Sequence, residues 1–361
     1  MNHIVNDEKN KFVAIFSDET GAYVRSGILK DGRDTGIDPF MASFPHLIDV
    51  GIMGHCIHGK AGLCVKAGIG CYQSGMKVEQ PNMTIEDFRR ILRECSGRVN
   101  QFALGGRGDP DQHEHFEEIL KECRDLRIVP NFTTSGFGLT PNIAQLCKRY
   151  CGAVAVSWYR SEYTLKAIDM LIEAGVKTNI HYVLGNNTIN EALIRLKDNS
   201  FPKGINAVVF LLHKPAGQGI RENVLSAQDP RINEFFHKID NGKHNYTVGM
   251  DSCCVPGIVN FCHNVIPEAI DTCEGARFSC YIDAQMNIVP CSFDQDKRFA
   301  VSLRSNTIEQ AWNSEVFDLF RNSLRFHCPD CEKRENCMGG CPLFPEIVLC
   351  ENGDKLEGEP V

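Results

Sequence analysis

The chain has 361 residues, 43% hydrophobic and 23% charged, with 38 Lys and Arg against 46 Asp and Glu for a net charge of −8. That length supports one large domain or two smaller ones, and the composition excludes disordered and fibrous classes. Mild acidity without any block of roughly five or six like charges excludes a nucleic-acid stripe and a polybasic membrane anchor.

The N-terminus, Met1-Asn2-His3-Ile4-Val5-Asn6-Asp7-Glu8-Lys9, carries both signs of charge and lacks the apolar core of a secretory signal. No window nears the roughly 18 continuous apolar residues of a membrane span. A cytoplasmic protein with neither nucleic acid nor membrane as partner is expected. Thiols stay reduced there, so abundant cysteine points to metal binding or catalysis. Residues 1–46 contain two short alternating segments, around Phe12 to Phe16 and Tyr23 to Ile28, joined by Asp18-Glu19-Thr20-Gly21. They predict a small hairpin leading into the main domain.

From 47 to 250, apolar runs alternate with amphipathic stretches. Strands are expected from Leu47 to Met53, Val99 to Leu104, Ile128 to Thr133, Ala153 to Trp158, Val176 to Leu184 and Ala207 to Leu212. Thr84 with Asp87 three residues on reads as a capping box with a shortened acid, and Thr140-Pro141 as an N-cap and first helical residue. Strand–helix alternation repeated about six times predicts an α/β protein with a parallel sheet and right-handed crossovers. A partial (β/α)6, TIM-like barrel is the best expectation, with its chemistry at the C-terminal strand ends. From 251 to 361 the helix period fades, apart from a helix after Asn306-Thr307-Ile308-Glu309, and Cys, Pro and Gly take over. A smaller domain held by metal ligands is expected there.

Eleven of the 18 cysteines form two sets, Cys56, Cys64 and Cys71 directly after the first strand, then Cys273, Cys280, Cys291, Cys328, Cys331, Cys337, Cys341 and Cys350. Cys95, Cys123 and Cys147 fall in helical patterns and read as small buried hydrophobes. A CxxC pair such as Cys328 and Cys331 lets two thiolates reach one metal or cluster from a tight turn, and Gly339 and Gly340 permit a sharp path before Cys341. Four-cysteine zinc sites use the same pairs, so counting leaves zinc and iron–sulfur both open.

The run Cys273, Cys280, Asn287-Ile288-Val289-Pro290-Cys291, Cys328-x2-Cys331-x5-Cys337-x3-Cys341 and Cys350 resembles the SPASM domain of radical SAM enzymes. Asn306-Thr307-Ile308-Glu309-Gln310-Ala311-Trp312-Asn313-Ser314, with Phe317 and Phe320 behind it, matches the helix between that domain's two cysteine groups. The resemblance implies a small C-terminal iron–sulfur domain with two auxiliary 4Fe–4S clusters, one on Cys273, Cys280, Cys291 and Cys341, the other on Cys328, Cys331, Cys337 and Cys350. A glycine usual ahead of the third cysteine is Asn287 here, which tolerates the same left-handed backbone.

Ile48-Asp49-Val50-Gly51-Ile52-Met53-Gly54-His55-Cys56 resembles the radical SAM core, where a strand runs into the first cysteine. The family's CxxxCxxC is replaced by seven residues between Cys56 and Cys64 and six between Cys64 and Cys71, with Gly59, Gly62, Gly68 and Gly70 free to fold the loop back. The resemblance implies a third 4Fe–4S cluster on these thiolates, whose open iron binds S-adenosyl-L-methionine (SAM) and cleaves it to a 5′-deoxyadenosyl radical. Leu104-Gly105-Gly106-Arg107-Gly108-Asp109-Pro110 resembles the GGEP segment whose backbone holds the methionyl amine of SAM. Read alone, its glycines are weak evidence, since a dinucleotide fingerprint needs a third glycine and Asp109-Pro110 would break the helix it opens. Thr134 and Ser135 in Thr133-Thr134-Ser135-Gly136, Ser157, Asn179 and His181 are candidate contacts to the ribose or carboxylate, against the plainer reading of satisfied polar groups at strand ends. His213-Lys214-Pro215-Ala216-Gly217-Gln218-Gly219 resembles a loop after the sixth strand of SPASM enzymes. In Asp251-Ser252-Cys253-Cys254, Cys253 and Cys254 are candidate hydrogen donors or extra cluster ligands, against two thiols in a connecting loop.

The resemblance spans residues 47 to 350 and implies a maturase that modifies a ribosomally made precursor peptide by hydrogen abstraction. The loop ending in Cys71-Tyr72-Gln73-Ser74-Gly75 resembles that of peptide-splicing maturases, which excise a tyramine equivalent to leave a β-amino acid. A flavodoxin- or ferredoxin-type electron donor is implied. A separate leader-peptide-recognition protein is expected as well, since some 46 residues ahead of the barrel are few for such a domain. Two rivals are the same chemistry on a protein, as in sulfatase maturation or quinone-cofactor biogenesis, and a zinc-bearing binding module without redox chemistry.

Overall fold

A computed structural model describes residues 2–326, 328 and 330–350 of the chain. Residues 351–361 of the expected C-terminal domain lie outside the described residues.

The N-terminal segment forms an antiparallel sheet of β1 (Asn2–Asp7), β2 (Phe12–Ser17) and β3 (Tyr23–Arg25). β2 and β3 are the expected hairpin; β1 is an addition, hidden in the sequence by the low strand propensity of its Asn and Asp residues. Phe12 and Ala14 are buried with Ala42 and Phe278, which fastens this sheet to the rest of the molecule. A two-residue hairpin, β4 (Leu29–Lys30) and β5 (Arg33–Asp34), follows.

Next come β6 (Leu47–Met53), β7 (Gln101–Gly106), β8 (Val129–Thr134), β9 (Val154–Ser157), β10 (Thr178–Leu184), β11 (Ala207–Leu212) and β12 (Thr247–Met250), parallel and side by side in chain order. All six expected strands are among them, and β12 is the seventh. β13 (Ser279–Ile282) adds parallel to the far edge of β6, and β14 (Asn287–Val289) and β15 (Val301–Ser302) continue antiparallel. The open ten-stranded sheet therefore crosses the boundary expected at residue 250.

Two single-turn helices, α1 (Ile57–Lys60) and α2 (Leu63–Lys66), follow β6. The crossovers are α3 (Ile85–Cys95), α4 (Phe116–Asp125), α5 (Pro141–Tyr150), α6 (Glu162–Glu173), α7 (Ile189–Asp198) and α8 (Pro230–Asn241). Since sheet order follows chain order and such crossovers are right-handed, they share one face of the sheet. Successive helices pack on each other there, α3 on α4, α4 on α5 and α5 on α6. Ile48, Val50, Ile52, Phe102, Leu104, Tyr182 and Phe210 are buried against that layer, as are Cys95, Cys123 and Cys147, each fully enclosed. Residues of opposite parity face the other way, and many are polar: Asp49, Gln101, Asn131, Thr133, Ser157 and His181.

Thr84 accepts from the Asp87 N–H at 3.1 Å, but the Asp87 carboxylate pairs with Arg304 at 2.6 Å, so the expected box is half formed. Thr140 caps α5 as expected. Past α9 (Val255–Phe261), the left-handed residue ahead of Cys291 is Met286, at φ 67, and Asn287 instead begins β14, its side chain on Asp283. The expected helix after Asn306 is two, α10 (Ile308–Trp312) and α11 (Glu315–Phe326), with α12 (Arg334–Cys337) closing the series. A complete capping box of Thr307 and Gln310 starts α10. Thr307→Ala is expected to cost about 1 kcal/mol, read as a lower urea midpoint with unchanged slope.

Candidate metal centres

Cys56 ends the turn after β6 and caps α1, its Sγ accepting the Gly59 N–H at 3.0 Å. The two single-turn helices take up the extra residues before Cys64, which lies in α2, and the chain returns to Cys71. Backbone carbonyls of this loop are held from three directions. Arg160 Nη1 reaches Ala67 O at 3.2 Å, Asn187 Nδ2 reaches Gly68 O at 2.9 Å, and the Gln218 N–H reaches Cys71 O at 2.9 Å. Gly217 makes that last approach possible: at φ +59 a Cβ there would stand 2.2 Å from Tyr72 O. His58 Nε2 meets the Tyr163 hydroxyl at 2.7 Å and its ring lies 4.5 Å from that of Tyr159.

Burial pushes the Cys56 thiol up to about 12, the Gly59 N–H opposing and the charges of Asp109, Cys71 and Cys64 adding. Cys64 is raised by burial and then by Cys71. Tyr159 is held well above its ordinary value by burial, and Asp109 and all three thiols add to the rise, so it stands among them. Thiols placed this way ionise at neutral pH when a bound cation balances them, which is what an iron cluster supplies. The donor set fits that group.

The glycine-rich loop after β7 presses onto the same spot. A Cβ on Gly108 would meet His55 O at 2.2 Å, and Gly105 and Gly106 end the strand. Asp109 is buried and accepts from both the N–H and hydroxyl of Ser135, at 2.7 and 2.6 Å. Ser135 is thus committed to Asp109, and buried Thr134 accepts the Gly136 N–H at 3.0 Å, so both shape the loop. Ser157 closes β9 in register with His181. His181 Nδ1 lies 3.2 Å from Thr133 Oγ1, and burial pulls the imidazole down to about 4, leaving it neutral. Asn179 sits near the opposite, N-terminal end of β10 and accepts from Asn206 at 2.7 Å, away from the cysteine loop.

A second group of thiols lines a cavity of about 820 Å³. Cys253 and Cys341 are hydrogen-bond partners, the main reason the Cys253 thiol lies well above its ordinary value. Burial and then the Cys253 charge push Cys273 up to about 11, and burial with Cys273 and Cys253 raises Cys291. Cys280, expected in this group, also lines that cavity, reaching it from strand β13. It pairs in register with Ile48, shares that residue's helix-covered face, and its charge is felt by Cys95 of α3. Cys254 turns from Cys253, donating to Asp251 Oδ1 at 3.3 Å. Cys328, Cys331, Cys337 and Cys350 form the third group: burial raises Cys337 to about 11, with Cys350, Cys328 and Cys331 adding. Among the described residues, no three His, Cys, Asp or Glu side chains converge tightly enough to grip one bare ion.

Several residues at these sites carried no signal in the sequence. The Tyr72 ring stacks on Phe293 at 4.2 Å, linking the loop of Cys71 to the segment after Cys291. Asp49 faces the cavity, and burial, with the Glu274 charge adding, raises its carboxyl to about 7. Only its parity within β6, opposite to that of Ile48 and Val50, could have marked it.

No family model matches the sequence, and no curated protein matches it. Solved structures share its fold. SuiB of Streptococcus suis bound to S-adenosylmethionine superposes with a TM-score of 0.65 over 84% of this chain and 74% of that one, at 16% identity. SuiB bound to precursor peptide SuiA gives 0.65 over 84% and 73%, at 16% identity. The protein anSMEcpe with bound AdoMet and Cp18Cys peptide gives 0.57 over 85% and 91%, also at 16%.

Two outcomes are expected. Gly217→Ala breaks the Gln218–Cys71 contact and raises hydrogen exchange in residues 64–72 about tenfold or more. Asp49→Asn gains on the wild type as pH rises. The unfolded chain loses the Asp49 proton near the ordinary value of about 3.9 and the folded chain near 7, so between them the unfolded state binds fewer protons and wild-type stability falls. The gain, on the order of 2–4 kcal/mol, is read by urea denaturation at the two ends of that window.

Proposed function

We propose that this chain is a radical SAM enzyme of the SPASM type that modifies a ribosomally made precursor peptide. The observation that carries the reading is the sorting of eleven cysteines into groups of three, four and four, the group of three at the end of β6. The fold adds support, being shared with SuiB, solved with S-adenosylmethionine and with a precursor peptide, and with anSMEcpe, solved with AdoMet and a peptide.

In this reading the sheet curves into a partial barrel with its polar face inside, and the region from residue 251 carries the auxiliary clusters. Cys56, Cys64 and Cys71 would hold the SAM-binding 4Fe–4S cluster. Cys253, Cys273, Cys291 and Cys341 would hold a second, with Cys253 in the place expected of Cys280, and Cys328, Cys331, Cys337 and Cys350 a third. When bound, the first cluster and SAM supply one-electron reductive cleavage and, through it, hydrogen abstraction from the peptide. The backbone of Gly105, Gly106 and Gly108, with Asp109 beside it, would receive the methionyl amine. Ser135 fixes the Asp109 carboxylate with two hydrogen bonds, and Thr134 fixes the turn beneath it. Neutral His181 and Ser157 offer hydrogen bonds on the inner face without introducing a charge. Tyr159, Tyr163 and the His58 ring shield the first group from water.

The sharper reading, excision of a tyramine equivalent to leave a β-amino acid, rests on the long-spaced Cys56, Cys64, Cys71 loop. The N-terminal sheet spends its buried face on Ala42 and Phe278, which favours a separate protein for the peptide's leader. Electrons would come from a flavodoxin- or ferredoxin-type donor. No described helix is long and apolar enough to cross a membrane, and ligand thiolates require a reducing compartment, for which we propose the cytoplasm.

Anaerobic reconstitution tests this. The wild type is expected to be brown with about twelve irons, Cys253→Ala to hold about four fewer, and Cys280→Ala to match the wild type. Cys56→Ala should form no 5′-deoxyadenosine from SAM, whereas Cys337→Ala should keep part of that activity and lose modified peptide by mass spectrometry of a co-expressed precursor. A colourless, zinc-bearing protein would overturn the proposal.

A further inference from the structure

We infer that Lys214 is the fixed counter-cation of the cluster held by Cys253, Cys273, Cys291 and Cys341, and that with Asp251 it sets that cluster's reduction potential. The inference rests on the ligand reading above and concerns a residue to which that reading gives no part.

Lys214 lies in the loop after β11, whose Gln218 N–H binds Cys71 O, and its side chain is 1% exposed. Its ammonium donates to Leu212 O at 2.9 Å and to Asp251 Oδ2 at 2.7 Å, and lies 4.4 Å over the Phe293 ring. A buried lysine is costly unless compensated, and among the described residues one carboxylate, itself partly exposed, is the only acid bonded to it. Lys214 lines the cavity with Cys253, Cys273, Cys291 and Cys341, and Cys280 and Cys337 line it as well. Four thiolates around a 4Fe–4S core leave a net negative charge in a low dielectric, and reduction adds one more. A cation fixed against the ligands stabilises the reduced state most, and Asp251 opposes it.

The test is an EPR-monitored redox titration of the reconstituted full chain, reading the signal that Cys253→Ala abolishes. One electron enters from the titrant, and no bond forms or breaks. Lys214→Met is expected to make reduction at least tenfold harder, about 59 mV lower for a one-electron couple. Asp251→Asn should shift it the opposite way, and the double variant should return toward the wild type. Iron-loaded variants that shift in the same direction, or do not shift, overturn the role of Lys214 while leaving the cluster intact. Should Lys214→Met fail to load iron, the upward shift in Asp251→Asn decides alone. A wild type that binds no iron overturns the cluster reading itself, a result recognisable before any variant is made.

Discussion

The cysteine thiols lie where water cannot stabilise their charge, and the rest of the molecule is organised by that constraint. Burial first, with neighbouring charges adding, carries Cys56 to about 12 and Cys273 and Cys337 to about 11. In such places a thiol stays protonated until a metal replaces the proton, so loading and folding draw on the same free energy. The loops that present the thiols have few apolar side chains of their own and are fixed from outside. Arg160, Asn187 and Gln218 come from the loops after β9, β10 and β11, and all three bind carbonyls of one cysteine-bearing segment.

Those three loops can converge because the sheet is wound in chain order. Each crossover returns on the same side, every strand end after β6 arrives at the same rim, and the opposite face carries the polar strand residues. On that face Gly51 admits the Tyr281 side chain, whose hydroxyl would stand 2.3 Å from a Cβ there, and polar residues are satisfied in pairs. Asn131 bonds Gln101 at 2.9 Å and Thr133 meets His181 at 3.2 Å. Asp49 is deeply buried and feels the Glu274 charge, which is why its proton is held so late.

Much of this was legible in the sequence, because β-branched runs and capping residues act locally. Six strands and the Thr140 cap follow from local pattern, whereas the grouping of Cys328, Cys331, Cys337 and Cys350 comes from the family resemblance. The failures share a cause: they depend on where the fold puts a residue. Cys253 lines the same cavity as Cys273 and Cys280, and the chain brings it in from a different segment that no local spacing connects to them. Asn287 has the chemistry of a left-handed residue, but the β13–β14 turn places that conformation on Met286, where no local preference would locate it.

The unusual spacing of the first three cysteines follows from the same geometry. In a short CxxxCxxC segment one turn of backbone sets all three thiols. Here two separate helical turns intervene, so the spacing cannot fix the sulfur positions and tertiary contacts must. The chain leaves Cys71 through Tyr72, whose ring stacks on Phe293, and Phe293 in turn lies under Lys214. Phe293 is two residues past Cys291, so the loop of the first group rests on the loop of the second. The stack of Tyr72 on Phe293 therefore ties the two cysteine-bearing loops to each other.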